Sequence, residues 1–348
     1  MTMVDALRGF AALAVLFFHS LNAFDSPNVL HPALRLVRSL TEYGYLGVSV
    51  FFVLSGWCIA QRLQTAVRRN ESAAVFMIER TLRIYPTYWA ALLVTLAVRT
   101  AAANVRHRAG LADLPAGTTA WLGDLLLLQP YFGTTAYVMV SWSLVYELGF
   151  YLLAALALVA HRRAIPGSWL LLAGGLICLW PLSPWQPTAL LVLGRWPDFF
   201  AGVIAWRAAG DGRAGAIVAG FAALLLLGLM LPGGFASPLR LTSIATASLL
   251  LAAVAAGGQS AAAWEFWARI GSFSYSLYLI HVTVLSPFMN LAGRWIVSSS
   301  AAFALVWLAA LALAVAAGWS LNRWCEAPVE RWRKSLFLAL MARSTASP

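Results

Sequence analysis

Apolar runs and the polar, Gly or Pro breaks between them place candidate spans near residues 5–24, 44–63, 84–102, 139–160, 167–183, 189–207, 214–232, 240–257, 270–290 and 299–321. A helix needs roughly 20 apolar residues to cross a bilayer. The pattern therefore predicts an all-α fold, a polytopic membrane helix bundle with about ten transmembrane helices. The fifth run is the weakest, because its apolar centre, 169–180, is short and Pro166, Pro181 and Pro184 crowd its ends. Residues 119–131 (TAWLGDLLLLQPY) are apolar but too short to span, and they read as an interfacial or re-entrant helix.

Composition agrees with the pattern and excludes whole classes. Of 348 residues, 61% are hydrophobic and 11% charged, whereas soluble domains are about 45–50% apolar and about 25% charged. A soluble globular protein and a disordered chain are both ruled out. Three cysteines, Cys58, Cys178 and Cys325, form no CxxC pair, so neither a disulfide framework nor a cysteine zinc site is expected. No metal site is predicted, and the first span runs on without a small-residue cleavage site, so no cleavable signal peptide is expected.

The net charge of +11 is explained by where the basic residues lie. All but Lys334 of the 24 are arginine. With both termini in the cytoplasm, sixteen fall in inside loops and seven in outside loops, and Arg195 sits within a span. That is the positive-inside pattern of a multi-pass protein in the cytoplasmic (inner) membrane. Basic residues dispersed over many short loops form no stripe, so nucleic acid is not an expected partner and the lipid bilayer is. No internal repeat supports a transporter built from duplicated halves. The chain divides into a membrane domain, 1–322, and a short basic cytoplasmic tail, 323–348.

Candidate chemistry sits inside the spans. Arg8 and His19 are eleven residues apart, three helical turns plus about 20°, and so share one face with a rise of about 16 Å between them. Arg8 then lies near the cytoplasmic surface, with Asp5 beside it, and His19 well inside the membrane. An ionisable group at that depth is a functional candidate, and histidine is suited to taking and returning a proton near neutral pH; helix packing is the alternative. Glu147 lies in SWSLVYELGFYLL, after Trp142 and about 12 Å below the outer surface by helical rise, a depth close to that of His19. Ser274, Tyr278 and His281 share a face of the ninth span by i, i+4, i+7 spacing. These groups describe a buried polar chamber or a set of interhelical hydrogen bonds. Arg80 and Arg83 stand three apart at the cytoplasmic end of the third span, where guanidinium forks match phosphate oxygens or simply mark topology. Arg195 and Asp198 form an i, i+3 pair beside Pro197, open between neutralised packing and a substrate contact. Ser55-Gly56 reads as a place of close helix approach, since no base for a nucleophilic Ser55 is visible in the sequence.

The stretches DALRGFAALAVLFFH, GVSVFFVLSGWCIA, RTLRIYPTYW, SWSLVYELGFYLL, FSYSLYLIH and WCEAPVERW, in this order over most of the chain, resemble the acyltransferase 3 family of integral membrane acyltransferases. The resemblance implies transfer of an acyl group, usually acetyl, from acyl-CoA on the cytoplasmic side to a hydroxyl of a glycan or lipid-linked glycan. Acyl-CoA is a co-substrate there, with no permanently bound cofactor. Family roles carried over by motif make His19 the general base, Glu147 its orienting or charge-stabilising partner, and Arg8, Arg80 and Arg83 the holders of the anionic coenzyme head. Asp5, Trp142, Ser274, Tyr278 and His281 are supporting candidates. Some relatives carry a fused extracytoplasmic domain; about 27 residues after the last span are too few for one, so any second step of acyl relay is expected to need a separate protein, or the acceptor to come to the membrane site itself, as a lipid-linked glycan would. Acylation of a small molecule such as a macrolide, or proton-coupled transport through the buried His, Glu and Arg residues, are the rival readings.

Overall fold

The computed structural model describes residues 2–22, 32–105, 115, 117–163, 194–211, 213–230, 237–255, 264–293 and 300–345, and every regular element among them is helical. The helices are α1 (Thr2–Asn22), α2 (Pro32–Thr41), α3 (Gly47–Arg68), α4 (Ala73–Val105), α5 (Gly117–Leu126), α6 (Gln129–Phe132), α7 (Trp142–Arg162), α8 (Trp196–Asp211), α9 (Ala214–Met230), α10 (Pro238–Ala255), α11 (Glu265–Gly271), α12 (Ser274–Gly293), α13 (Ser300–Leu321) and α14 (Ala327–Thr345). Short 3₁₀ turns precede α3 and α7, and a π turn, Asn322–Glu326, joins α13 to α14. Six helical stretches among the described residues are long and apolar enough to cross a bilayer: Met3–Leu21, Arg35–Arg68, Ala73–Ala102, Met139–Arg162, Pro238–Ala255 and Ala301–Phe337. The protein is a multi-pass membrane protein, helical in every regular element among the described residues. The expected fifth span, 167–183, lies outside the described residues. The segment 119–131 is helical in two pieces, α5 and α6, broken where buried Leu127 takes a left-handed conformation (φ 55°).

Two features escaped the hydrophobic pattern. Helix α2 is only ten residues long and mixes Arg35 and Arg38 with Leu36 and Leu40, so it lacks an apolar run. Helix α14 occupies the segment expected to be a basic tail, with Glu330 bonded to Arg333 one turn away.

The chain folds as two compact units. Unit 1 comprises Met1–Arg8, Leu46–Arg80 and Ser143–Ala268, and its centre is the packing of α3 on α8. A Cβ at Gly56 would overlap the Phe199 carbonyl oxygen, and one at Gly202 the Val53 carbonyl oxygen, so the two backbones touch through glycine. Without a hydrophobic effect between helices in lipid, small residues and van der Waals contact supply this attraction. Phe199 is fully buried and stacks between Phe52 and Phe150, with centroids at 4.6 and 4.5 Å. Gly56→Leu is expected to destabilise the protein by about 3 kcal/mol, the upper part of the overpacking range. A lowered thermal midpoint in detergent checks this, and an unchanged midpoint would contradict the close contact.

Unit 2 comprises Gly9–Tyr45, Thr81–Trp142 and Arg269–Pro348. Helix α12 lies along α13, with Gly318 against the Leu277 backbone. Trp307 of α13 donates to Ser20 Oγ of α1 at 2.9 Å. Tyr85, Tyr88 and Trp89 of α4 donate to the carbonyls of Leu126, Asp124 and Leu125, which satisfies the backbone that the break at Leu127 leaves open. Buried Asp124 closes the loop by accepting from Gln129 Nε2 at 2.9 Å and from the Tyr137 amide at 3.0 Å.

Candidate active site

In unit 2 the structure brings His19 and His281 together. His19 Nδ1 lies 3.0 Å from the Val15 carbonyl and 3.1 Å from His281 Nε2. His281 is buried, and its Nδ1 lies 2.7 Å from the Tyr278 carbonyl and 3.2 Å from that of Leu277. A carbonyl only accepts, so Nδ1 of His281 carries the proton and its Nε2 offers a lone pair. His19 Nδ1 likewise carries a proton, shared between the Val15 carbonyl and that lone pair, which leaves Nε2 of half-buried His19 as the acceptor nitrogen of the pair. The arrangement fixes tautomers as a carbonyl behind a histidine does in metal sites. Phe18 packs edge-on against the His19 ring with centroids 5.0 Å apart, and Tyr278 lies beside His281 at 5.9 Å.

The expected α12 face is buried throughout, but its members have separate jobs. Ser274 Oγ donates to the Gly271 carbonyl at 2.8 Å and tightens the start of the helix. Tyr278 OH donates to the Val140 carbonyl at 3.1 Å and ties the turn before α7 to the helix that carries His281. Trp142, at the start of α7, is exposed.

In unit 1 Glu147 accepts from Ser55 Oγ at 3.0 Å and from Tyr151 OH. Arg80 is buried, with its guanidinium over the Tyr151 and Phe76 rings at 5.9 and 5.8 Å and Glu79 at 3.9 Å. Arg8 is half-buried, pairs with Asp5 at 3.8 Å and approaches Cys58 Sγ at 3.4 Å. Arg83, in unit 2, acts electrostatically on the Glu330 carboxylate together with Arg333 and Lys334.

Sequence reasoning missed three groups here. Ser55 and Tyr151 hold Glu147; the second was one turn from it and detectable by i, i+4 spacing, the first was 92 residues away. Arg62 is bonded to both Glu71 and Glu79. The Arg195–Asp198 pair, 2.9 Å apart, is joined by Arg240 at 3.0 Å, which makes a charge triad around buried Asp198 where a simple pair was expected.

Unit 2 of this polytopic helical membrane protein thus holds a tautomer-fixed histidine pair, and unit 1 holds buried Arg80 and half-buried Glu147. The protein's family follows from sequence: the profile of the acyltransferase domain family, Acyl_transf_3, matches residues 2–323, and the chain belongs to that family. It is an enzyme that transfers acyl groups. It is 28% identical to "Acyltransferase MdmB" of Streptomyces mycarofaciens over 94% of this chain and 91% of that protein. It is 26% identical to "Nodulation protein 10" of Rhizobium leguminosarum bv. viciae over 84% of this chain and 85% of that one. "Peptidoglycan O-acetyltransferase OatA" of Listeria monocytogenes is 30% identical over 27% of this chain and 13% of its own length. No solved structure matches the chain.

Proposed function

We propose that the protein is a membrane O-acyltransferase that moves an acyl group, acetyl in the reading we favour, from acyl-CoA to a hydroxyl of a cell-surface glycan. O-antigen, exopolysaccharide or a lipid-linked sugar are the acceptors of that class. The observation that carries this reading is the His19–His281 pair, which leaves one basic nitrogen inside an acyltransferase. His19 Nε2 takes the acceptor's hydroxyl proton as its oxygen attacks the acyl carbonyl. The cation so formed is stabilised by donation from His19 Nδ1 to His281, whose own Nδ1 proton is held by the Tyr278 carbonyl. His281 is a positioning residue, and Glu147, held by two hydroxyls, is the second catalytic group. A relative named for O-acetylation of peptidoglycan supports a glycan hydroxyl as acceptor.

Arg8, Arg80 and Arg83 are each assigned to the phosphates of acyl-CoA, for which a planar fork of donors is matched in charge and shape. The reading places the chain in the cytoplasmic membrane with about ten crossings and both termini inside, 1–322 forming the membrane domain and 323–348 the cytoplasmic tail. Membranes containing the protein, given radiolabelled acetyl-CoA, are expected to yield label in the glycan or glycolipid fraction, released by mild base as an ester is. Label found only in a small-molecule fraction would overturn the glycan assignment. Arg80→Ala is expected to raise KM for acyl-CoA by about tenfold or more, the loss of one charge-assisted contact; an unchanged KM would remove Arg80 from coenzyme binding.

A further inference from the structure

Ser55 has a base. Its Oγ donates to Glu147 Oε1 at 3.0 Å, and both residues belong to unit 1. Several hydroxyls in these helices bond their own backbone, as Ser20 does to the Phe17 carbonyl at 2.8 Å. Ser55 donates to a carboxylate from another element, as Ser243 does to Asp198 and Ser276 to Glu326; Asp198 also faces two arginines, whereas the contacts of Glu147 are hydroxyls. The position of Ser55 is fixed from behind: Gly56 is locked against the Phe199 backbone, and Ser55, about 100° round the helix, is directed away from that contact. Leu54, Gly56 and Trp57 are buried, whereas Ser55 and Glu147 are both half-buried and so reachable. Among the described residues Glu147 makes no ion pair, and its partners are two hydroxyls. Tyr151, under the Arg80 guanidinium, holds the same carboxylate oxygen and orients it toward Ser55. A hydroxyl bonded to a base that a third group orients is the arrangement of an activated nucleophile.

We propose that Ser55 is a nucleophile and carries the acyl group as an ester between donor and acceptor, an inference that rests on the reading of acyl-CoA as donor. In the first half-reaction Ser55 Oγ attacks the thioester carbonyl carbon while Glu147 takes the hydroxyl proton. The C–S bond breaks, the leaving thiolate takes that proton from Glu147, and the products are acyl-Ser55 and the coenzyme thiol. In the second, an acceptor hydroxyl attacks the ester carbonyl, the bond to Ser55 Oγ breaks, and the proton shed by the acceptor returns to Ser55. Nothing is oxidised or reduced.

The test uses the full-length protein in detergent, radiolabelled acetyl-, propionyl- and succinyl-CoA, and no acceptor, with released thiol and protein-bound label measured together. The expected result is one burst of thiol per active site, with equal label on the peptide that contains Ser55. Ser55→Ala should lose the label and more than about a hundredfold of turnover. Ser55→Cys should take label as a thioester that neutral hydroxylamine removes faster than the wild-type ester. His19→Ala should still label Ser55. Thiol release with label absent from Ser55, or Ser55→Ala turning over at close to the wild-type rate, would overturn the nucleophile while leaving the donor reading intact. No thiol release from any of the three thioesters would overturn the donor reading and the inference with it.

Discussion

His19→Ala is expected to lower the acyl-transfer rate by about 10²–10⁴-fold, the usual contribution of a positioned acid or base. The loss should fall on kcat, with KM for acyl-CoA little changed, because His19 is assigned to proton transfer and the arginines to binding. Its ring is part of a chain of hydrogen bonds. His281 Nδ1 donates to the Tyr278 carbonyl, His281 Nε2 accepts from His19 Nδ1, and His19 Nε2 is left to take a proton. Alanine removes the last step and leaves the fold, since His19 is half-buried and makes no ion pair among the described residues. His281→Gln tests the relay separately. It should cost less than His19→Ala and displace the pH profile of kcat, a change that a packing role would not produce. Activity of His19→Ala within tenfold of wild type, with a wild-type unfolding midpoint, would remove it from the chemistry.

The sequence showed this pair only in part. His19 and His281 are 262 residues apart, and both were conspicuous because titratable side chains inside apolar runs are expensive and rare. Helical rise then placed them at similar depth, which made a meeting reasonable without revealing it. Spans were legible in part for the same physical reason: a bilayer demands uninterrupted apolar length, and six of the ten expected runs fall, among the described residues, on helices long and apolar enough to cross. The partnership of Glu147 with Ser55 was not legible. Ser55 lies in FFVLSG, where a small residue beside glycine looks like a packing site, and Gly56 is indeed one. What separates the two neighbours is a rotation of about 100° around α3, which depends on how α3 seats on α8. No local pattern encodes that seating. Helix α2 and the helical tail were missed for a different reason. Helix α2 mixes arginine with apolar residues over ten residues, so its signal is periodicity rather than bulk hydropathy, and α14 is neither apolar overall nor amphipathic, so it carries neither signal.

Asp198→Ala is expected to destabilise the protein by about 3–5 kcal/mol, the cost of leaving buried charge without its counter-ion. Asp198 is fully buried in the first turn of α8, where the helix dipole also favours an anion. Its Oδ1 accepts from Arg240 Nη1 at 3.0 Å and Ser243 Oγ at 2.7 Å, and its Oδ2 lies 2.9 Å from Arg195 Nε. One carboxylate therefore serves two arginines, so its removal strands two cations at once. Arg240→Ala should cost less than Asp198→Ala, because Asp198 keeps Arg195. That order, measured as unfolding midpoints in detergent, distinguishes a charge triad from simple packing; equal losses, or an Asp198→Ala protein of wild-type stability, would contradict it. The consequence reaches the chemistry through α3. Arg195 also donates to Ser49 Oγ at 2.7 Å, six residues before Ser55 on the same helix, and lies over the Phe52 ring that stacks on Phe199. Loosening the triad releases the polar anchor of α3 just above the glycine contact that aims Ser55. Asp198→Asn, which keeps the shape and two acceptor contacts, should recover part of the stability. Its activity should follow stability, which would place the triad in holding the site and outside the reaction.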